Sequence, residues 1–192
     1  MNLMDKISKA FANVGVDNEP VPQSNGLEFY DTKEKRIFSC EVSTSRPTSD
    51  IDRFLIQDKR QGQKLSTIAL NAIAQHFWDS GSRYIAIHLV RNDGLTFWPR
   101  FGAIPSQGAP SYRSYTPFFM EEEFIETEGD KLLNAFLIAK NDPIEAWFYL
   151  TDPKTIASRD LIARLNSGSK DQTMHMDLEH PVVRERLGLE NL

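Results

Sequence analysis

A basic turn with one glycine is the stretch whose residue types best suit chemistry. Between an apolar stretch and a long amphipathic one, the chain carries Lys59, Arg60, Gln61, Gly62, Gln63 and Lys64. Where a strand gives way to a helix, unpaired amide N–H groups and the positive end of the helix dipole together suit a phosphate. Gly62 would let the backbone approach such a ligand closely. The alternative interpretation is an ordinary solvated turn ahead of a helix.

The elements around this turn have the order of a β-α-β crossover. The pattern of apolar residues predicts a strand at Ile51–Gln57, a helix from about Gly62 to Asp79, a buried strand at Tyr84–Val90 and a short helix at Leu95–Phe101. Gly81 is placed to end the long helix as a C-terminal cap. The basic turn therefore lies at the point where the first strand meets the long helix.

The strand before the turn determines which side chains border it. Side chains alternate between the two faces of a strand. This alternation predicts that one face carries Ile51, Arg53, Leu55 and Gln57. It predicts that the other face carries Asp52, Phe54 and Ile56.

The rest of the chain predicts a sheet with helices around it. The N-terminal part predicts a helix at residues 2–14 and an antiparallel hairpin of Leu27–Tyr30 with Arg36–Ser43. The C-terminal part predicts a loop at Ser106–Tyr115, helices at Gly129–Lys140 and Pro153–Leu165, a last strand at Ala146–Leu150, and a small helix at Pro181–Leu187. We expect one domain over residues 1–165, extended from about residue 129, followed by a polar linker and tail at 166–192.

Composition narrows the classes of function. The 192-residue chain is 40% hydrophobic and 26% charged, as is typical of a globular protein, and its net charge is −5. An acidic balance argues against a broad nucleic-acid-binding surface. Cys40 is the single cysteine, so an internal disulfide and a cysteine-based metal site are both excluded. No long apolar run is present, and we expect a cytoplasmic protein without a membrane partner.

The order of the elements and turns resembles a known superfamily. The chain carries Lys59-Arg60-Gln61-Gly62-Gln63-Lys64-Leu65, then Tyr84–Val90, Asn92 and Trp98-Pro99-Arg100-Phe101-Gly102-Ala103. This order resembles the acyl-CoA-binding core of the GNAT N-acyltransferase superfamily over residues 51–104. The usual signature there is Gln/Arg-x-x-Gly-x-Gly/Ala opening a helix, then a strand, an Asn-containing turn and a helix that ends in Tyr-x-x-x-Gly-Phe.

The resemblance implies an α/β (α+β) fold with a mixed, mostly antiparallel twisted sheet flanked by helices. It also implies acetyl-CoA or another acyl-CoA as co-substrate. The N–H groups from Gln61 to Leu65 would hold the pyrophosphate, and Lys59, Arg60 and Lys64 would add charge. The edge of the strand at Phe54, Leu55 and Ile56 would pair with the pantetheine amides. Asn92 and Trp98 would complete the cofactor site, and no metal is expected.

The resemblance further implies direct attack by a neutral primary amine on the thioester, in a complex holding both substrates. A base or a water chain must accept a proton from that amine, and the leaving thiolate must be protonated or stabilised. Candidate bases are Asp52, Glu41 and His88, each with the alternative of a surface or core role. Tyr112, Tyr84 and Tyr115 are candidate acids.

Two departures from the superfamily pattern keep a second interpretation open. Lys64 stands where a small residue is usual. Trp98 stands where many members carry a tyrosine acid, and an indole N–H does not act as an acid at neutral pH. The alternative function is therefore a catalytically degenerate binding module with the same fold. Its partner would be a protein, and a homodimer is a further possibility.

Overall fold

The computed structural model describes a defined part of the chain. The described residues are 1–24, 26–57, 64–88, 97–105, 134, 137–138, 141–142, 144–146, 149 and 173–189. The chain forms two compact units, one comprising Met1–Ala86 with Leu178–Leu192 and the other comprising Ile87–Asp177. The predicted domain boundary at residue 165 lies outside the described residues and stays a prediction.

The first unit consists of a sheet with helices. Its elements are α1 (Leu3–Ala12), β1 (Glu19–Gln23), β2 (Gly26–Tyr30), β3 (Arg36–Ser43), β4 (Thr48–Ile56), α2 (Leu65–Asp79), β5 (Tyr84–Ile87, whose last residue begins the second unit) and a C-terminal helix, α3 (Pro181–Leu187). The strands lie in the order β1-β2-β3-β4-β5. The pairs β1–β2, β2–β3 and β3–β4 are antiparallel. The expected mixed, mostly antiparallel sheet flanked by helices is confirmed.

Helix α1 covers one face of this sheet because its apolar residues recur at helical spacing. Leu3, Ile7 and Phe11 are buried. The ring of Phe11 packs edge-on against Phe29 at 5.6 Å and Phe38 at 5.8 Å between centroids. Such aromatic pairs are stabilising beyond the apolar area that they bury. The predicted helix at 2–14 and the predicted hairpin are confirmed to within about two residues, the usual uncertainty of element ends.

A β-bulge in β4 changes the predicted alternation. Glu41 of β3 pairs with Arg53, but the next residue, Val42, pairs with Ile51. Asp52 is thus an extra residue in β4, and it is exposed. A bulge of this kind leaves one residue unpaired and bends the strand.

The bulge makes the predicted faces of β4 wrong. Paired residues lie on the same face of a sheet, and β3 presents Phe38, Cys40 and Val42 on one face. Their partners in β4 are Ile56, Phe54 and Ile51. Ile51 therefore lies on the face of Phe54 and Ile56, which packs against α1, rather than with Arg53 and Leu55. The extra residue shifts the alternation by one position.

The starts of β4 and β5 lie together. The backbone N–H groups of Arg83 and Tyr84 both donate to the carbonyl oxygen of Pro47, at 2.7 and 3.1 Å. The buried hydroxyls of Ser49 and Ser82 form a hydrogen bond of 2.6 Å beside them. Since a helix joins the two strands and their starts are adjacent, β4 and β5 run in the same direction. The predicted crossover is therefore present.

Gly81 follows α2 and has a φ of +88°. A Cβ atom there would lie 2.8 Å from Nε of Arg46, so a larger residue would meet both conformational strain and a clash. The same Nε donates to the carbonyl oxygen of Ser80 at 2.7 Å. The prediction that Gly81 ends the helix agrees with this left-handed turn.

One strand of the first unit was not expected from the sequence. Strand β1 lies in a segment that contains Pro20 and Pro22, which depress strand propensity. Helix α3 matches the predicted Pro181–Leu187, and its buried residues include Val183 and Leu187. Helix α3 contacts α2, because the guanidinium of Arg184 in α3 lies 4.9 Å from the ring of Trp78 in α2.

The second unit contains a 3-10 helix and a short antiparallel pair of strands. The 3-10 helix spans Trp98–Phe101, and β6 (Ile104–Pro105) pairs with β7 (Met174–Asp177). The predicted strand at Ala146–Leu150 is wrong, because Ile144–Ala146 and Tyr149 are helical. The Asp142 carboxylate accepts the N–H groups of Ile144 and Glu145 at 2.9 and 3.1 Å, as an N-terminal cap does.

Other predictions for the second unit fall largely outside the described residues. Asn134, Leu137 and Ile138 are helical, in agreement with the predicted helix at Gly129–Lys140, but Leu137 is 50% exposed. The predicted loop at 106–115 and the predicted helix at 153–165 lie outside the described residues.

Two buried serines on the first unit's sheet differ in their hydrogen bonding and predict opposite responses to alanine. Ser49 Oγ contacts Ser82 Oγ and accepts the Ser45 N–H at 3.1 Å. Ser39 Oγ is buried without a hydrogen-bond partner. We expect Ser49→Ala to lower the free energy of unfolding by about 1–3 kcal/mol, since the Ser45 N–H loses its acceptor and Ser82 Oγ keeps only its bond to the Ser45 carbonyl oxygen.

The matched variant is Ser39→Ala, which removes a buried hydroxyl that makes no hydrogen bond. We expect an unchanged or slightly higher free energy of unfolding, measured by urea denaturation of both variants beside the parent. Equal losses in the two variants would contradict the assigned hydrogen bonding.

Candidate functional site

The N-terminus of α2 has no side-chain cap among the described residues. Lys64 occupies the N-cap position without a capping hydrogen bond, and the first turn contains no acidic residue. Leu65 is fully buried, which fixes the start of the helix against the core. The first N–H groups of a helix require partners from outside it. The remaining predicted turn residues, Lys59–Gln63, lie outside the described residues.

Lys64 has a left-handed backbone conformation, with φ +57° and ψ +10°. This region disfavours residues that have a Cβ atom and favours glycine. The superfamily pattern has glycine or alanine at this position. The backbone here therefore has a conformation that suits glycine, while the side chain adds an exposed positive charge.

The predicted pantetheine edge is the second half of β4. Phe54, Leu55 and Ile56 are half-buried, and on one side they pair with β3. On the other side, β5 begins beside Pro47 and spans four residues, whereas β4 spans nine. At about 3.3 Å per residue, the described β5 reaches only about halfway along β4. The half that contains Phe54–Ile56 extends beyond the described end of β5.

The two candidate carboxylates of the first unit have different surroundings. Glu41 Oε1 forms an ion pair with Arg53 Nη1 at 3.2 Å, and both side chains are part-exposed. Asp52 is the exposed extra residue of the bulge, adjacent to Arg53 in sequence. A bulge beside a strand edge commonly re-aims a side chain. The sequence did not identify Arg53 as the partner of Glu41; the cross-strand register brings these opposite charges together.

The remaining described candidates are Tyr84, which is half-buried in β5 of the first unit, and two residues of the second unit. His88 directly follows β5 and is half-buried, so the predicted strand at Tyr84–Val90 is confirmed only through Ile87. Trp98 begins the 3-10 helix, is 5% exposed and packs edge-on against Phe97 at 5.0 Å. Gly102 ends this helix with a φ of +84°, the conformation expected of a terminal glycine. The candidates Asn92 and Tyr112 lie outside the described residues.

Cys40 is unsuited to covalent catalysis. Its side chain is 1% exposed, and burial raises the pKa of the thiol to about 12. The thiolate is the nucleophilic form of cysteine. In these surroundings Cys40 acts as a small buried apolar residue.

The described residues contain neither a cluster suited to a metal ion nor a helix suited to a membrane. Within them, no group of three or more His, Cys, Asp or Glu side chains could hold a metal ion. Likewise, no helix in the described part of the chain is long and apolar enough to cross a membrane.

Comparison with known proteins gives weak structural similarities. No family model matches the sequence, and no curated protein matches it. Similar solved structures include Ard1 from Thermoplasma volcanium, with a TM-score of 0.37 and 9% identity over 43% of this chain and 57% of that one. Another is Tetrahymena GCN5, with a TM-score of 0.38 and 11% identity over 59% of this chain and 73% of that one.

The chain spans just over half the length of the Ard1 structure, 57%. Because both TM-scores are below 0.5, these similarities do not identify the function of this chain.

The burial of Cys40 predicts a thiol that does not react in the folded protein. We expect no reaction with Ellman's reagent near neutral pH, because the thiol stays protonated and inaccessible, and one thiol per chain after denaturation. The release of yellow thionitrobenzoate, followed by absorbance, measures both states. Rapid reaction of the native protein would contradict the burial of this side chain.

Proposed function

We propose that this protein is an acyl-CoA-dependent N-acyltransferase that transfers an acetyl group to a primary amine of a protein or small molecule. The observation that carries the proposal is the start of α2. There, an uncapped helix N-terminus follows a strand and a basic turn, and residue 64 has the backbone conformation of a glycine. The sequence order of the motifs from Lys59 to Gly102 also supports the proposal.

The residues present fit the co-substrate in charge and in hydrogen-bonding capacity. The N–H groups at the start of α2, with the charge of Lys64, would hold the pyrophosphate. The edge of β4 at Phe54–Ile56 would pair with the pantetheine amides. Bound acyl-CoA supplies an activated thioester carbonyl.

The chain's own residues would then position and deprotonate the amine. Attack of the amine nitrogen on the carbonyl carbon forms the amide and breaks the C–S bond, and a proton leaves the nitrogen as the thiolate departs. Asp52 is the carboxylate that fits proton acceptance best, since Glu41 is paired with Arg53. His88 remains the alternative base, and Tyr112 is the proposed donor to the thiolate.

A catalytically degenerate binding module is the second candidate. The observation that favours it is Trp98, which is buried and has a side chain that cannot protonate a thiolate. This module would keep the fold and bind a protein partner without acyl transfer. Absence of turnover across a panel of amines, together with intact binding of a protein partner, would favour it.

The co-substrate site predicts CoA binding that depends on Gly62. We expect calorimetric titration to show that acetyl-CoA binds the protein. Dephospho-CoA should bind with lower affinity. Gly62→Glu should weaken binding at least about ten-fold, because it adds a negative charge and a side chain beside the phosphates. Unchanged affinity in that variant would place the site elsewhere.

Lys64→Gly is the matched variant, since it keeps the left-handed conformation and removes only the charged side chain. We expect its thermal stability to equal or exceed the parent's. Its affinity should fall by about five-fold, equivalent to about 1 kcal/mol for a solvated charge, and less at high salt.

The proposed base predicts a difference between two neighbouring carboxylates. Asp52→Asn should lower kcat by about 10²-fold or more, as loss of a general base does, with little change in the KM for acetyl-CoA. Glu41→Gln should change kcat much less. Release of CoA thiol with Ellman's reagent measures the rate, and buried Cys40 adds no background.

If Glu41→Gln lowers kcat more than Asp52→Asn does, the general base is Glu41. If neither variant changes kcat, Asp52 is not the base and His88 becomes the residue to test. Both outcomes require that acetyl-CoA binding has first been established by the titration.

A further inference from the structure

The outer edge of β1 has an unusual composition for a strand. Of the described strands, β1 stands at the end of the order and pairs with β2 alone. Its sequence is Glu19-Pro20-Val21-Pro22-Gln23, with prolines at alternate positions. Because proline has no backbone N–H, these two positions cannot donate to any neighbouring strand.

The register shows which way the prolines face. Residues in an antiparallel pair alternate between those that exchange hydrogen bonds with the partner strand and those that face away. Val21 pairs with Glu28, Pro20 with Phe29 and Pro22 with Leu27. If the prolines faced β2, the ladder would lack every donor from their side. Glu19, Val21 and Gln23 therefore face β2, and Pro20 and Pro22 direct their carbonyl groups outward.

The middle of this edge thus presents acceptors without donors. A second copy pairing antiparallel about Val21 would bring position 20 of one chain opposite position 22 of the other. Each such pair needs an N–H from both residues, and neither proline has one. Exposed edges with both groups are the usual route to pairing between chains.

We infer that Pro20 and Pro22 close the outer edge of β1 to strand addition by a second copy of this chain. The two prolines lie where a missing N–H costs the native sheet nothing, because the lost donors would have pointed to solvent. The exposed side chains of Glu19 and Gln23 flank them. The inference is independent of the proposed acyl transfer.

The test is the double substitution Pro20→Thr with Pro22→Thr, which restores both outward donors with a residue of high strand propensity. Sedimentation velocity should show a concentration-dependent rise toward twice the parent's mass. The amide protons at these positions should exchange fast at low concentration and slowly at high concentration. Each single substitution should associate more weakly than the double variant.

Two further variants make the result specific. Lys33→Thr with Lys35→Thr places two threonines in the exposed β2–β3 turn and should leave the mass at the parent's value. Val21→Pro removes a donor that faces β2, so it should lower stability and weaken the protection of amides in β2.

Several outcomes would overturn the inference. The double variant could keep the parent's mass at every concentration while remaining folded, or the turn control could associate equally. Unfolding of the double variant would also overturn it, since outward-facing positions should tolerate threonine. A tolerated Val21→Pro would show that the facing of β1 is assigned incorrectly.

Discussion

The pairing of β3 with β4, and the bulge within it, is the constraint on which the rest of the first unit depends. One extra residue, Asp52, makes Ile51 and Phe54 fall on the same face, where the ring of Phe54 contacts Phe38 at 5.2 Å. Phe38 in turn contacts Phe11 of α1. Without the bulge, Ile51 or Phe54 would turn to the opposite face, and the apolar layer beneath α1 would be incomplete. The same extra residue leaves a carboxylate exposed on the strand that leads to the basic turn.

Helix α2 makes several polar and cation–π contacts at its C-terminal end. Asp79 accepts a hydrogen bond from Lys6 of α1, and Ser80 accepts one from Arg46. The ring of Trp78 contacts the guanidinium groups of Arg83 and Arg184 at 4.4 and 4.9 Å. At the other end, Leu65 is buried but the N-cap makes no side-chain hydrogen bond. The described polar contacts of α2 therefore lie at its C-terminal end, and its N-cap side chain adds none.

Two acidic residues of the first unit that look equivalent in the sequence have different electrostatic surroundings in the structure. Glu41 and Asp52 are both acidic residues of the central strands, yet Arg53 neutralises one and the bulge exposes the other. Cys40 lies on the buried face, where loss of hydration disfavours the thiolate. The sheet therefore offers an exposed carboxylate, at Asp52, and no reactive thiol among the described residues.

The amino-acid sequence by itself determined those elements whose signals are local. The helical spacing of Leu3, Ile7 and Phe11 is sufficient for α1, and a proline at the first position with a following glycine marks α3. A local signal also contradicts the predicted strand at residues 146–150, because Asp142 followed by proline is typical of a helix start.

Tertiary structure decided the rest, because it depends on partners distant in the chain. Nothing in the residues around Asp52 specifies a bulge; the register with β3 does, since apolar side chains on both strands must meet the same helix. Strand β1 exists despite two prolines because β2 supplies the hydrogen bonds that its alternate residues can make. The order of motifs from Lys59 to Gly102 could be read from the sequence, whereas the pairing of Glu41 and the conformation of Lys64 arise only when the chain is folded.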